Sequence, residues 1–215
     1  MALQVTEIFR SIQGESSYAG LPCTFVRLTG CNLRCVWCDT EYSFHGGQRM
    51  TIDEIVEQVR AFGGRIVELT GGEPLLQKEA IPLLERFLAE GWTTLLETSG
   101  ERPLADVPRA VVKVVDVKCP DSGEGGSFRI ENLDAMAPHD QVKLVVGSRA
   151  DYEFARDFTS EHRLVDRFAA VYFSPVHGAV DLATFAGWMV EDGLEGVRFG
   201  SQLHKQIWGA DAQGV

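Results

Sequence analysis

The sequence predicts an α/β fold, an incomplete barrel of about six parallel strands with helices packed outside it. Three observations predict this. Short runs rich in β-branched and apolar residues alternate with amphipathic stretches at helical spacing, glycines and prolines punctuate the junctions, and the residues able to do chemistry cluster just after the apolar runs. Strand–helix–strand units imply parallel pairing through right-handed crossovers, which curl a sheet toward a barrel. The units are too few for the eight of a closed TIM-type β/α barrel, so the barrel is partial, with its site at the strands' C-terminal ends.

Gly20-Leu21-Pro22 reads as a turn, and residues 24–28 (Thr-Phe-Val-Arg-Leu) alternate apolar with polar as a strand does. Thr51-Ile52-Asp53-Glu54 has the spacing of a capping box. Ile52, Ile55, Val56, Val59 and Phe62 recur at helical spacing after it, so a helix is expected to run to about Phe62 and stop at Gly63-Gly64. Residues 66–69 (Ile-Val-Glu-Leu) read as a buried strand. A helix over about 79–90 carries Ile81, Leu84, Phe87 and Leu88 on one face and ends at Gly91. Residues 93–97, 111–117, 141–146 and 169–173 read as further strands. Helices are expected near 150–158 and 181–192, the second with Leu182, Phe185, Ala186, Met189 and Val190 in register.

At 215 residues and 45% apolar, the chain can close one core without a second domain. Its formal charge of −11 argues against nucleic acid, whose binders concentrate Lys and Arg to release counterions. Neither a basic leader followed by an apolar stretch nor a run of about 18 apolar residues is present, so no membrane partner is expected. Five cysteines, three of them within eight residues, do not make a secreted disulfide framework and point to a reducing cytoplasm. Cys23 and Cys119 read as small buried apolar residues. Ser122-Gly123-Glu124-Gly125-Gly126-Ser127 reads as a flexible loop or a backbone anion cradle.

The chemistry centres on Cys31-Asn32-Leu33-Arg34-Cys35-Val36-Trp37-Cys38, three thiols separated by three and then two residues. Three clustered cysteines can hold three irons of a four-iron cluster and leave the fourth open to a small molecule. They can equally hold zinc, with Cys23, Cys119 or His45 as fourth ligand. Thr70-Gly71-Gly72-Glu73-Pro74 ends the 66–69 strand. Its glycines let a ligand approach the backbone and its carboxylate can pair with an ammonium group, though alone it would be a strand-ending turn. Read singly, Arg27 is a strand cation, Glu15 a loop carboxylate, His204 an exposed or capped histidine and Asp39-Thr40 a turn start, while Trp37 is as readily an adenine contact as core filler.

With an aromatic residue before its third thiol, the cysteine loop together with Gly-Gly-Glu resembles the signature of the radical S-adenosylmethionine (SAM) enzymes. Residues 9–15 (Phe-Arg-Ser-Ile-Gln-Gly-Glu), Arg27, Cys31, Cys38-Asp39-Thr40, Thr70 to Pro74 and Gln202-Leu203-His204-Lys205 together resemble the 7-carboxy-7-deazaguanine synthase family. The resemblance spans nearly the whole chain and is stronger before Pro74 than after Lys118. It implies one radical SAM domain over 1–215 that turns 6-carboxy-5,6,7,8-tetrahydropterin into 7-carboxy-7-deazaguanine and ammonia, on the route to queuosine. A homodimer and an external one-electron reductant of flavodoxin or ferredoxin type are also implied.

By the same resemblance, Cys31, Cys35 and Cys38 hold a 4Fe-4S cluster. SAM lies against Trp37, Cys38 and Asp39, with Gly72 and Glu73 at its amino end and Ser99, Asp116, Val117, Lys118, Ser174, Pro175, Val176 and His177 around the rest. Thr40 ligates a magnesium ion that also grips the substrate carboxylate. Ile12, Gln13, Gly14, Glu15, Arg27, Thr70 and His204 face the pterin. The chain departs from the family pattern at Asp116-Val117 and Ser174, where contacts made through backbone atoms would survive, and in a longer tail after His204. Two rival readings stay open: an activase of glycyl-radical enzymes, and a non-catalytic iron–sulfur or zinc protein.

Overall fold

The computed structural model describes residues 1–210 and 212–215. Its strands are β1 (Ala2–Ile12), β2 (Pro22–Leu28), β3 (Gln48–Thr51), β4 (Ile66–Gly71), β5 (Thr93–Thr98), β6 (Val112–Lys118), β7 (Gln141–Val146), β8 (Ala170–Pro175) and β9 (Val197–Phe199). The helices are α1 (Ile52–Phe62), α2 (Ala80–Ala89), α3 (Asn132–Ala135), α4 (Arg149–Glu161), α5 (Leu164–Arg167), α6 (Leu182–Glu191) and α7 (Leu203–Trp208). The strands form one open sheet in the order β3-β1-β2-β4-β5-β6-β7-β8-β9. From β2 through β9 every pairing is parallel, whereas β1 pairs antiparallel with both β2 and β3. Among the described residues no helix is long and apolar enough to cross a membrane.

The α/β class, the incomplete barrel and the six expected parallel strands are all present. The expected capping box forms at α1: Glu54 Oε2 accepts from Thr51 N–H at 2.7 Å, and Thr51 Oγ1 accepts from Glu54 N–H at 3.2 Å. Sequence periodicity does not reveal β1, because its register shifts between Val5 and Glu7 and the shift breaks the two-residue alternation. The short edge strand β9 and helix α7 carry no pattern of their own. The face expected on α6 is corrected. Phe185 is buried, with Trp188 and Met189 packed against the core, but Leu182 and Val190 are 51% and 80% exposed. Helix α6 is held by Tyr152 of α4, whose ring meets Phe185 and Trp188 at 5.9 and 5.4 Å between centroids, and that contact sets its rotation.

The Ser122 to Ser127 segment does not stand free. Ser122 O accepts from Val36 N–H at 2.9 Å, and the Glu124 carboxylate accepts from Arg34 N–H, so this loop clamps the cysteine loop from outside.

The two faces of the parallel sheet divide stability from chemistry. Outward-facing Val26, Leu28, Val67, Leu69, Leu96, Val115, Val142, Leu144, Val171 and Phe173 bury themselves under the helices, each contributing about 1.5–3 kcal/mol. The inner face carries Arg27, Glu68, Thr70, Glu97, Asp116, Lys118 and Lys143, which cost free energy unless paired or met by a ligand. Lys113 breaks the pattern by facing the apolar layer. Its Nζ lies 3.1 Å from Asp140 Oδ2, and the same carboxylate accepts from the N–H groups of Lys113 and Ala137 at 2.8 and 2.7 Å. Replacing Asp140→Ala strands a buried ammonium group and two amides. Urea unfolding of that variant should show a loss of about 3–5 kcal/mol, and adding Lys113→Met should recover much of it.

Candidate active site

The C-terminal ends of the parallel strands surround a cavity of about 240 Å³. The end of β1 with the turn after it (Ile12, Gln13, Gly14, Glu15) closes one side. Helix α7 and the tail close another, through Gln202, His204, Lys205, Ala210, Ala212, Gly214 and Val215. These two pieces touch: Gly14 O accepts from Leu203 N–H at 3.2 Å, and a Cβ on Gly14 would lie 2.9 Å from His204 Nδ1, so only glycine fits there. The tail that runs past His204 is therefore part of the cavity wall.

Most of the expected site residues line this one space. Cys31, Cys35, Trp37, Cys38, Asp39, Thr40, Gly72, Ser99, Asp116, Lys118, Val176 and His177 do so, as do Ile12, Gln13, Gly14, Glu15, Arg27, Thr70 and His204. The side chains of Val117, Ser174 and Pro175 do not. Val117 faces the apolar core, Pro175 is buried, and Ser174, paired with Val145 on the inner face, is buried with Gly200 packed against its hydroxyl.

Glu73 does not line the cavity either. It is 1% exposed and stands behind the wall. Its carboxylate accepts from Thr98 Oγ1 at 2.8 and 2.9 Å, from Ser99 N–H at 2.9 Å, from Ser99 Oγ at 2.6 Å and from Leu75 N–H at 3.1 Å. Glu73 thus ties the end of β4 to the end of β5, and it is Thr98 and Ser99 that face the cavity.

Arg27 is fixed by its rear edge. Its Nε donates to Glu7 Oε1 at 2.7 Å, Tyr42 Oη donates to the same oxygen at 2.8 Å, and the guanidinium lies 5.6 Å from the centroid of Phe9. The two terminal nitrogens make no hydrogen bond with described residues, which leaves a planar fork for an anion. Thr40 Oγ1 donates to Asp39 Oδ1 at 2.8 Å, and Lys205 Nζ lies 2.6 Å from Asp39 Oδ2. Despite burial, Lys205 holds the Asp39 carboxyl down at about 2.

Glu68, Glu97 and Lys143 form the polar floor, and of these sequence reasoning missed Glu68 and Lys143. Lys143 Nζ lies 2.7 Å from Glu15 Oε2, contacts Glu97 Oε1 and stands 3.9 Å from Asp116 Oδ2. Burial works against its charge, but Glu15, Glu97 and Asp116 outweigh it and raise the ammonium well above its ordinary range. Glu15 is spent within the protein, its second oxygen accepting from Gln202 Nε2 at 2.9 Å. The available signal was a polar residue at every second position of otherwise apolar strands.

The Radical SAM superfamily model matches residues 25–118, from inside β2 to the end of β6. The 7-carboxy-7-deazaguanine synthase of Koribacter versatilis is 57% identical, covering 99% of this chain and all of that one. That of Chlorobaculum tepidum is 44% identical over 99% and 97% of the two chains. The chain belongs to the 7-carboxy-7-deazaguanine synthase family. The crystal structure of QueE from Escherichia coli has the same fold, with a TM-score of 0.77, 22% identity and 95% of each chain covered.

Membership of this radical SAM family implies a 4Fe-4S cluster and SAM, and the residues present fit both. Cys31, Cys35 and Cys38 are half-buried free thiols on the cavity wall. Burial pushes all three above the ordinary thiol range, so loading iron on them releases protons. No three His, Cys, Asp or Glu side chains among the described residues converge on a single ion. A cluster takes one thiolate on each of three irons and needs less convergence than tetrahedral zinc. Cys23, Cys119 and His45, the candidate fourth ligands for zinc, lie outside the lining, the first two fully buried. For SAM, the telling atom is Asp116 Oδ1. It is buried, without a hydrogen-bond partner among the described residues, on a side chain that lines the cavity while Lys118 Nζ occupies Oδ2 at 2.8 Å.

Gly72 presses against the cysteine loop so closely that a Cβ there would lie 2.5 Å from both Cys31 Cβ and Gly30 O. A Gly72→Ala variant should push the first thiol out of line. After anaerobic reconstitution it should retain less iron per chain than the wild type and bind SAM about tenfold more weakly by calorimetry.

Proposed function

We propose that this chain converts 6-carboxy-5,6,7,8-tetrahydropterin into 7-carboxy-7-deazaguanine and ammonia, as one radical SAM domain over residues 1–215. The observation that carries the reading is one cavity that joins the cysteine loop to a fixed arginine fork and a floor of paired charges. When bound, the cluster and SAM supply one-electron cleavage of the cofactor and, from it, hydrogen-atom abstraction from the substrate.

The chain's own residues divide the remaining work. Cys31, Cys35 and Cys38 would each ligate one iron and leave the fourth for SAM. Asp116 Oδ1 and the Ser99 hydroxyl would accept from the cofactor's polar groups, and Gly72 allows its close approach. Arg27 would hold the substrate carboxylate with both terminal nitrogens. Gln13, Gly14, Glu15, Thr70 and His204 would frame the ring, with α7 and the tail keeping water out. Thr40 would hold a magnesium ion. One hydroxyl suits that ion, which keeps most of its shell from water and substrate oxygens. The working unit is proposed as a cytoplasmic homodimer reduced by a flavodoxin- or ferredoxin-type carrier.

The reading is tested with anaerobically reconstituted protein, dithionite, SAM and the carboxy-tetrahydropterin. Mass spectrometry should find the deazaguanine with one ammonia per turnover, and Cys35→Ala should produce none. Protein that cleaves SAM yet leaves the pterin intact would remove the substrate assignment. Stripping divalent metal with a chelator should lower the rate, and magnesium should restore it; an unchanged rate would remove Thr40 as a metal ligand.

A further inference from the structure

Glu68 is a buried acid in the cavity for which neither the motifs nor the proposed reaction has a use. It sits on the inner face of β4, two residues below Thr70, and is 1% exposed. Gln13 Nε2 donates to its Oε2 at 3.2 Å. Its Oε1 has no hydrogen-bond partner among the described residues, and the side chain lines the cavity. Half of the carboxyl is thus satisfied by the protein and half is left open to the ligand space, where a bound ligand can meet it. Gln13 is itself immobilised, its Oε1 accepting from the N–H groups of Glu15 and Ser16 at 2.9 Å each. Glu68 is therefore locked to the turn that walls the substrate end.

We propose that Glu68 recognises the substrate, hydrogen-bonding through Oε1 to the polar edge of the bound heterocycle beside the carboxylate of Glu97. The inference rests on the reading of the cavity as a pterin site. Its chemistry follows from the neighbours that face Glu68: Gln13 and Glu15 after β1, the buried thiol of Cys23 on β2, Glu97 on β5 and Lys143 on β7. Burial first, and Glu97 second, raise the Glu68 carboxyl from 4.5 up to about 8, against the smaller opposing pull of Gln13 and Lys143. At neutral pH it keeps its proton, so Oε1 donates. Glu97, ion-paired with Lys143, offers the ligand an acceptor. A donor beside an acceptor complements an aminopyrimidinone edge, which presents a carbonyl oxygen next to N–H groups.

The sign of the pH effect follows. Below about 8 the acid donates. Above it, Glu68 ionises beside Glu97, loses its donor and faces the ring carbonyl with a negative charge, so substrate affinity falls as pH rises through that value. The experiment uses reconstituted holoenzyme. Steady-state KM and calorimetric Kd for the carboxy-tetrahydropterin are measured from about pH 6.5 to 9, with iron content and SAM binding recorded for each variant. Glu68→Leu should raise KM and Kd about tenfold at neutral pH while leaving iron content and SAM affinity unchanged. Glu68→Gln, whose amide donates at every pH, should recover most of that loss and abolish the rise in KM above pH 8.

A Glu68→Leu enzyme with wild-type Kd and KM across the range would overturn the inference while leaving the proposed function standing. So would a Glu68→Gln enzyme that keeps the wild-type pH profile. Wild-type holoenzyme that binds SAM but not the pterin would overturn both.

Discussion

A buried ammonium group must be met by carboxylates or give up its charge, and Lys143 is where this chain applies that rule. It stands on β7, in the middle of the parallel sheet, and is met by Glu15 from the turn after β1 and by Glu97 from the end of β5. Those partners are distant in sequence, so the ion pairs pull the N-terminal turn across the open side of the barrel. Once there, the turn brings Gln13 onto Glu68, Gly14 against α7 and Glu15 onto Gln202. This wall is thus assembled from pieces that no single strand pairing would bring together. Removing any one charge leaves the others exposed to the desolvation penalty they now share.

The fold was legible wherever apolar periodicity was unbroken. The six parallel strands and the α1 capping box were readable because β-branched runs and a Thr-x-x-Glu spacing each have one physical meaning in that context. Strand β1 was not, since its bulge moves the buried residues off a strict alternation. The cysteine loop and the Gly-Gly turn were legible because their spacing is itself the chemistry. The polar floor was present in the sequence but passed over. Glu68 lies between Val67 and Leu69, and Lys143 between Val142 and Leu144. A charge inside such a run, on the face away from the helices, marks a barrel interior that is not filled by apolar layers. Val117 shows the converse limit: position near a strand end does not say which face a side chain takes.

Glu73 shows how a motif can be legible while its geometry is not. The sequence suggests a carboxylate presented to an ammonium group, but here both oxygens are filled by Thr98, Ser99 and Leu75. The charge is passed forward. Ser99 spends its hydroxyl proton on Glu73 at 2.6 Å and accepts from Glu101 N–H at 3.4 Å, which leaves one lone pair free and polarised, since a hydrogen bond given strengthens the next one accepted. A hydroxyl so placed is a better acceptor for an ammonium group than a free serine, and it is held by the same contact that fixes the ends of β4 and β5. A bare carboxylate in that position would be mobile and hydrated, and part of its attraction would go to displacing water. Filling its oxygens from behind exchanges some charge density for a fixed direction, and direction is what a site that must aim one bond at an open iron requires.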